Sequence, residues 1–302
     1  MTLLQLEYFT ALAETLHYTR TAESLHITQP SLSYEISELE RSLGVPLFTL
    51  IRRRVHLTKY GKAFLPFAVK ALQDLKNGQE YLQELSGKEA RTIRLGYFHS
   101  IAADVIPEYV SGFHRMIGNE QVTFRFSEFR SAELLSMLYA GDLDLAITTD
   151  PGDRNRTEST RLFSQQLYLA VPSNHPVAAD MDRSGASSVE FTAFARQPQI
   201  MLNKASSPRP IVDRLYEEEK AVVGSPDIRF EVEDCNTAIS YVLTDCGVAI
   251  LPEIPALSNR RIRSFPICSH GVPVTRDVFL CRKADRELSP IAGQFWRYVA
   301  GL

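Results

Sequence analysis

The sequence predicts an α/β chain with an all-α-type N-terminal domain, a long linker helix and a larger region of alternating strands and helices. Three observations predict it. Apolar residues recur at helical spacing over residues 3–43. A second apolar repeat, roughly 3.5 residues long, runs from Lys59 to about Ser86. From about residue 92 onward, short apolar runs alternate with helical patterns to the end. A chain of 302 residues has room for about two domains, at roughly 150 residues each. Hydrophobic content of 44% with 23% charged residues is a globular composition, not a disordered one. The net charge of −3 points to no partner by itself. No apolar run approaches the roughly 18 residues of a membrane helix. The opening MTLLQLEYF lacks a basic n-region, so no signal peptide is expected. Cys235, Cys246, Cys268 and Cys281 contain no C-x-x-C pair, which argues against a disulfide scaffold and a zinc knuckle and for a reducing, cytoplasmic location.

In the first helix, Leu6, Phe9, Ala13 and Leu16 make one apolar face. Thr19 is read as the cap of a second, short helix, with Ala22 and Leu25 inward. Thr28 caps the third, and Pro30 falls in its first turn, where the missing N–H costs nothing. Leu32, Ile36, Leu39 and Leu43 form its buried stripe, and Gly44 with Pro46 ends it. That leaves Gln29, Ser31, Ser33, Tyr34 and Ser37 outward. Short hydroxyls and an amide suit close approach to base edges and phosphates; the bland alternative is an ordinary polar helix face. Two β-prone runs then flank Arg52, Arg53 and Arg54, followed by Lys59 and Lys62. Such a cluster holds phosphates by charge-assisted hydrogen bonds, or is a solvated basic patch. Residues 1–58 carry five Lys or Arg against six Asp or Glu, so only the distribution of charge favours nucleic acid.

Three helices, a tight connection and a wing describe a winged helix-turn-helix. These residues resemble the LysR-type transcriptional regulators. The resemblance is carried by Leu6, Tyr8-Phe9, Ala13-Glu14, Tyr18-Thr19-Arg20-Thr21-Ala22 and Leu25, then Thr28-Gln29-Pro30-Ser31-Leu32-Ser33, Ile36 and Leu39-Glu40. It continues through Leu43-Gly44-Val45-Pro46-Leu47-Phe48, Leu57-Thr58 and Gly61. Departures are Tyr34, where the family often has Arg, followed by Glu35, and Thr49-Leu50 in place of the usual Glu-Arg. The resemblance implies that the helix from Gln29 to Ser42 lies in the major groove of duplex DNA. Thr28, Gln29, Pro30, Ser31, Ser33, Tyr34 and Ser37 would then lie at the bases or adjoining phosphates. Arg52, Arg53 and Arg54 would reach the backbone or minor groove.

Along the long helix, Phe64, Phe67, Ala71, Leu75, Leu82 and Leu85 mark a coiled-coil-like seam, and Pro66 predicts a local kink. The resemblance implies a dimerisation helix through Phe64, Phe67, Ala71, Leu75 and Leu82, in a homodimer or homotetramer. Packing against the chain's own body is the other reading.

Thr92–Tyr97, Val122–Phe126 and Leu143–Thr148 read as strands with helices between them, an order that implies a parallel doubly wound sheet. Gln166–Val171, Gln199–Leu202, Ile228–Val232 and Val248–Leu251 follow, then a strand over Val274–Arg282 and a helix over Pro290–Ala300. Gly141-Asp142-Leu143-Asp144-Leu145-Ala146-Ile147, His175-Pro176 (in a loop) and Gly247-Val248-Ala249-Ile250-Leu251-Pro252 extend the resemblance. It implies two Rossmann-like α/β subdomains of the periplasmic-binding-protein-like type 2. The expected division is 1–58 winged domain, 59–91 linker, and 92–302 effector-binding domain. Subdomain I takes 92–162 and 269–302; subdomain II takes 163–268.

Ligands in open α/β sheets sit beyond the carboxyl ends of the strands. Those positions are Tyr97, Phe98, His99 and Ser100, then Thr148 and Thr149, then Asn203 and Lys204, and Asn236 in the loop near Asp234–Thr237. Ser100 is read as the cap of a helix whose free N–H groups favour an anion, so a small organic acid is the expected effector. A plain structural cap is the alternative. No G-x-S-x-G, P-loop, G-x-G-x-x-G or H-E-x-x-H occurs, and neither catalysis nor a cofactor is expected. The competing readings are a two-lobed small-molecule receptor without regulatory DNA binding and a cysteine redox-sensing regulator through Cys235 and Cys246.

Overall fold

The computed structural model describes residues 1–52, 54–86, 91–118 and 121–301; Arg53 lies outside them. The chain divides into two compact units, Met1–Glu89 and Ala90–Leu302.

In the first unit, α1 (Leu3–Thr15), α2 (Tyr18–Ser24) and α3 (Gln29–Leu43) precede the hairpin of β1 (Phe48–Ile51) and β2 (Arg54–Leu57), and α4 (Lys59–Leu85) follows. Thr2 and Gln5 cap α1 reciprocally as a capping box. Leu6, Phe9, Leu12, Leu32, Ile36, Leu39 and Leu47 are buried together, as the helical periodicity requires. Thr28 caps α3 and Gly44 ends it in the left-handed region, with φ 71°. Thr19 is not the cap of α2. His17 is, its Nδ1 accepting from the Arg20 N–H at 3.4 Å. An imidazole nitrogen can accept as a serine oxygen does. Gly61 is required by close approach: a Cβ there would stand 2.2 Å from the Leu47 carbonyl oxygen. Phe64 and Ala71 do not stand out on a free seam. Both are half-buried against the unit's own core, with the Phe64 ring 5.5 Å from Phe9. Phe67, Leu75 and Leu82 are exposed at 71%, 48% and 65%.

The second unit has two lobes on one continuous sheet. Lobe I holds β3 (Arg91–Tyr97), α5 (Val105–Ile117), β4 (Val122–Glu128), α6 (Ser131–Ala140) and β5 (Leu145–Thr148). The chain crosses on β6 (Thr157–Pro172) into lobe II. There α7 (Pro176–Ser184), β7 (Val189–Glu190), α8 (Phe191–Phe194), β8 (Gln199–Leu202), α9 (Arg209–Glu218), α10 (Lys220–Val223) and β9 (Ile228–Val232) follow. After them come α11 (Cys235–Leu243), β10 (Val248–Pro252), β11 (Ile262–Ser269) and β12 (Val272–Pro273). The return strand β13 (Thr275–Lys283) and α12 (Pro290–Ala300) complete lobe I. The strand order is β4-β3-β5-β13-β6-β10-β8-β9. One cluster, around Phe113, Leu134 and Phe295, fills lobe I; two others cover the two faces of the lobe II sheet.

The sheet is mixed, not wholly parallel. β3 pairs parallel with β4 and β5, but β13 runs antiparallel to both β5 and β6. A returning strand must enter lobe I against the direction in which the chain left it. β6 starts at Thr157, well before the expected Gln166. Its first half is polar on its exposed face and carries little hydrophobic signal. His175 closes the loop after β6, as expected, and its Nδ1 also caps α7, accepting from the Val177 N–H at 3.3 Å.

Candidate DNA face and effector cavity

Thr28 and Ser31 pair through their hydroxyls at 2.8 Å at the start of α3, and Gln29, Pro30, Ser31, Tyr34 and Ser37 are exposed. Ser33 is half-buried, on the flank of that face. Glu35 turns to α1, where its carboxylate accepts from the Gln5 side-chain amide at 2.9 Å. That contact engages the one acid at the start of the face and leaves an uncharged ridge, with Tyr34 63% exposed. The Glu40 carboxylate accepts from the Leu47 and Phe48 N–H groups at 2.6 and 3.0 Å, tying the wing to α3. Arg52 stands at the wing tip with φ 50°, and Arg52, Arg54, Lys59 and Lys62 are all exposed. A polar ridge beside a basic tip suits base edges on one element and phosphates on the other.

Between the lobes lies a cavity of about 150 Å³. It is lined by His99, Ser100, Ala102 and Ala103 from lobe I and by Cys235, Asn236, Ile254, Pro255 and Ala256 from lobe II. Of the nine residues expected at the effector site, the fold brings His99, Ser100 and Asn236 to this cavity. His99 Nε2 accepts from the Asn236 amide at 3.3 Å, which leaves Nδ1 to carry the proton of its short hydrogen bond to Glu128. Arg130 and Glu233 form a second, exposed link between the lobes at 3.2 Å.

Ser100 does not cap a long helix. It sits in the single 3-10 turn His99–Ile101, and the cap of α5 is Asp104, whose carboxylate accepts from the Val105 N–H at 2.7 Å. Tyr97 and Phe98 are buried in the lobe I core. Thr148 is fully buried and donates to the Asp150 carbonyl at 2.6 Å, while Thr149 pairs with Ser131 at 3.1 Å. Asn203 spends its side-chain oxygen on the Ala205 N–H at 3.1 Å, within its own turn, and Lys204 is exposed. None of these six lines the cavity. The strand ends of one sheet therefore do not all converge on one cavity.

The sequence reading missed Arg276. It lies on β13 directly opposite Gln165 of β6 and is 6% exposed. Its Nε and Nη2 donate to Gln165 Oε1 at 2.9 and 2.6 Å, Nη2 also to Ser100 at 2.5 Å, and Nη1 to Ser207 at 2.5 Å. Its guanidinium stands 4.9 Å from the Phe98 ring centroid. Burial pulls its pKa down to about 10, which still leaves it charged at neutral pH. The available signal was register. Arg276, Val278 and Leu280 all point to the buried face of β13, and a charge in an apolar row demands an explanation. Cys235, the first residue of α11, was read only for redox chemistry. Burial pushes its thiol up to about 11, against a smaller opposing pull from Arg276. Burial also works against the charge of Asp234, the cap of α11. Hydrogen bonds from the Thr237 N–H, the Thr237 hydroxyl and the Asn236 N–H prevail, and hold its carboxyl below the ordinary range.

Two family models match this chain. Residues 3–62 match the bacterial regulatory helix-turn-helix protein, lysR family, and residues 86–301 match the LysR substrate binding domain. Among curated relatives, the HTH-type transcriptional regulator YybE of Bacillus subtilis is 33% identical over 299 residues, covering 98% of this chain and 97% of that one. The transcriptional dual regulator GltC of the same organism is 29% identical over 301 residues, covering 99% and 96%. The solved structure of full-length CbnR with its target DNA shares the fold at TM-score 0.70 and 21% identity, covering 99% of both chains. The effector binding domain of QuiR in complex with shikimate shares it at TM-score 0.61 and 24% identity, over 70% of this chain and 97% of that one. With a helix-turn-helix model on its first unit, a substrate-binding model over most of its second and a full-length relative above 30% identity, the chain belongs to the LysR family of transcriptional regulators.

Proposed function

We propose that this regulator, acting in the cytoplasm as a homodimer or a homotetramer built from dimers, reads its DNA site with α3 and the wing and responds to a small molecule seated between the two lobes. The direct readers are Gln29, Ser31, Ser33, Tyr34 and Ser37; Thr28 and Pro30 set the start of the helix. Arg52 and Arg54 hold phosphates, and Arg53, outside the described residues, is assigned with them. The dimer seam is Phe67, Leu75 and Leu82. The effector contacts are His99, Ser100 and Asn236, joined by Cys235. The family supports no catalytic role, since it is one of regulators.

The observation that carries this reading is the cavity itself, built from both lobes in a chain whose other unit is a winged helix-turn-helix. A ligand held by residues from two lobes favours one arrangement of those lobes, and an equilibrium between arrangements shifts by that difference in affinity. The test is fluorescence anisotropy of the full chain on its own upstream DNA, with a scrambled duplex beside it across a salt series. Tighter, salt-dependent binding to the native fragment is expected. Equal affinity for both duplexes overturns the assignment of that fragment as the target.

A further inference from the structure

Three basic side chains lie at 6% exposure in the described residues: Arg209, Arg276 and Lys283. Arg209 is paired with Asp213 at 2.7 Å and Glu231 at 2.9 Å, and Lys283 with Asp285 at 3.7 Å. Arg276 has no carboxylate partner among the described residues. Its acceptors are a neutral amide and two hydroxyls, on Gln165, Ser100 and Ser207. A buried charge without a countercharge is costly, and structural sites remove that cost with an acid, as the other two show.

The hydrogen-bond directions say what the charge is for. A serine hydroxyl has one proton and accepts as well. Because Ser100 accepts from Arg276, its own proton must go elsewhere, and Ser100 lines the cavity. The serine is therefore set as a donor backed by a full positive charge. Gln165 is held in the same orientation, since its Nε2 donates to the Glu253 carbonyl at 2.9 Å and its oxygen faces Arg276. Arg276 and Gln165 sit on the two crossover strands, Ser100 belongs to lobe I, and Ser207 lies between β8 and α9 of lobe II. One guanidinium thus ties both crossover strands to a residue of each lobe. The rest of the cavity is small and largely apolar, with Ala102, Ala103, Ile254, Pro255 and Ala256 on its walls. Its volume of about 150 Å³ equals that of an engineered cavity that admits benzene.

We propose that Arg276 is the specificity-determining residue of this site: acting through Ser100, it makes the cavity select a small carboxylate over its neutral isostere. The carboxylate supplies the countercharge that the fold leaves out. This rests on the reading of the cavity as the effector's seat. Arg276 acts here as a positioning residue and need not touch the ligand.

The experiment uses the full-length protein and two pairs of probes, benzoate with benzamide and propionate with propionamide, at constant ionic strength. Affinities are read by calorimetry and thermal shift. At least one carboxylate is expected to bind about tenfold or more tightly than its amide in the wild type. In Arg276→Gln that ratio is expected to collapse toward one. Arg276→Lys, which keeps the charge and loses the fork, is expected to recover part of it. A purely structural arginine would weaken both members of a pair and leave the ratio standing. A wild-type ratio near one, no carboxylate binding at millimolar concentration, or a ratio that survives Arg276→Gln each overturns the proposal. Ala103→Trp separates this from the underlying reading by filling the cavity. Loss of both probes there supports the cavity as the seat. Intact carboxylate selectivity in Ala103→Trp, lost only in the Arg276 variants, overturns the seat and not the role of Arg276.

Discussion

Ser100 lines the cavity for a reason other than the one its sequence position offers. The chain turns there, but the single 3-10 turn His99–Ile101 offers no long helix dipole to an anion. What gives Ser100 its chemistry is the guanidinium behind it. Ser100→Ala removes the donor and one acceptor of a buried cation. A hydrogen bond backed by charge contributes about 1.5–3 kcal/mol, so carboxylate affinity should fall by roughly 10–100-fold. Calorimetry measures that fall, and anisotropy on the operator should show DNA affinity in the absence of ligand unchanged. Equal loss of both would mean a folding defect. Cys235 sits at the same cavity with its thiol pushed up to about 11, so it is protonated at neutral pH. A thiol reacts through its thiolate. Cys235 should therefore be alkylated by iodoacetamide more slowly than the half-buried Cys246 at pH 8, as read by mass spectrometry of the native protein; faster labelling of Cys235 would refute this.

In the proposed reading, the elements of the first unit act as a reader and a clamp. Helix α3 turns Glu35 away from the outer face to Gln5, and Glu40 fixes the wing by accepting two backbone N–H groups. Ser33→Asp brings a negative charge to the flank of the reading face and should weaken specific binding by about tenfold or more at physiological salt. Unchanged anisotropy would remove α3 from the interface. The wing predicts a different signature. Arg52→Ala with Arg54→Ala should weaken binding to all sequences alike and shallow the salt slope by roughly one or two contacts. An unchanged slope would place the wing tip away from the phosphates.

At the scale of the molecule, α4 has two faces with separate duties. Phe64, Ala68 and Ala71 belong to the core of their own unit, while Phe67, Leu75 and Leu82 stay exposed. Exposed apolar side chains at near-heptad spacing form a seam for a second helix. With the proposed seam, Leu75→Glu with Leu82→Glu should convert a dimer to a monomer in analytical ultracentrifugation and lower operator affinity, since two linked readers bind far better than one. A dimer that persists would place the interface elsewhere. Both substitutions leave the packed face untouched, so the monomer is expected to stay folded.

The sequence by itself determined the winged helix-turn-helix, the long helix and the alternating lobes. Each follows from a period a reader can count: Leu32, Ile36 and Leu39 down α3, or the apolar run Leu145–Thr148 in β5. The cap at Thr28 was legible, but the hydroxyls of Thr19 and Ser100 were read as caps and are not, while the imidazole caps at His17 and His175 were missed. Only the tertiary structure decided which strand ends converge, which face of α4 is already used, and that Arg276 lies buried with no acid paired to it among the described residues. The reason is physical. A period describes neighbours three, four or two residues apart on one element, whereas the Arg276 cluster joins residues 69, 111 and 176 positions away. Local pattern encodes the faces; only the crossing of β6 and β13 sets which faces meet.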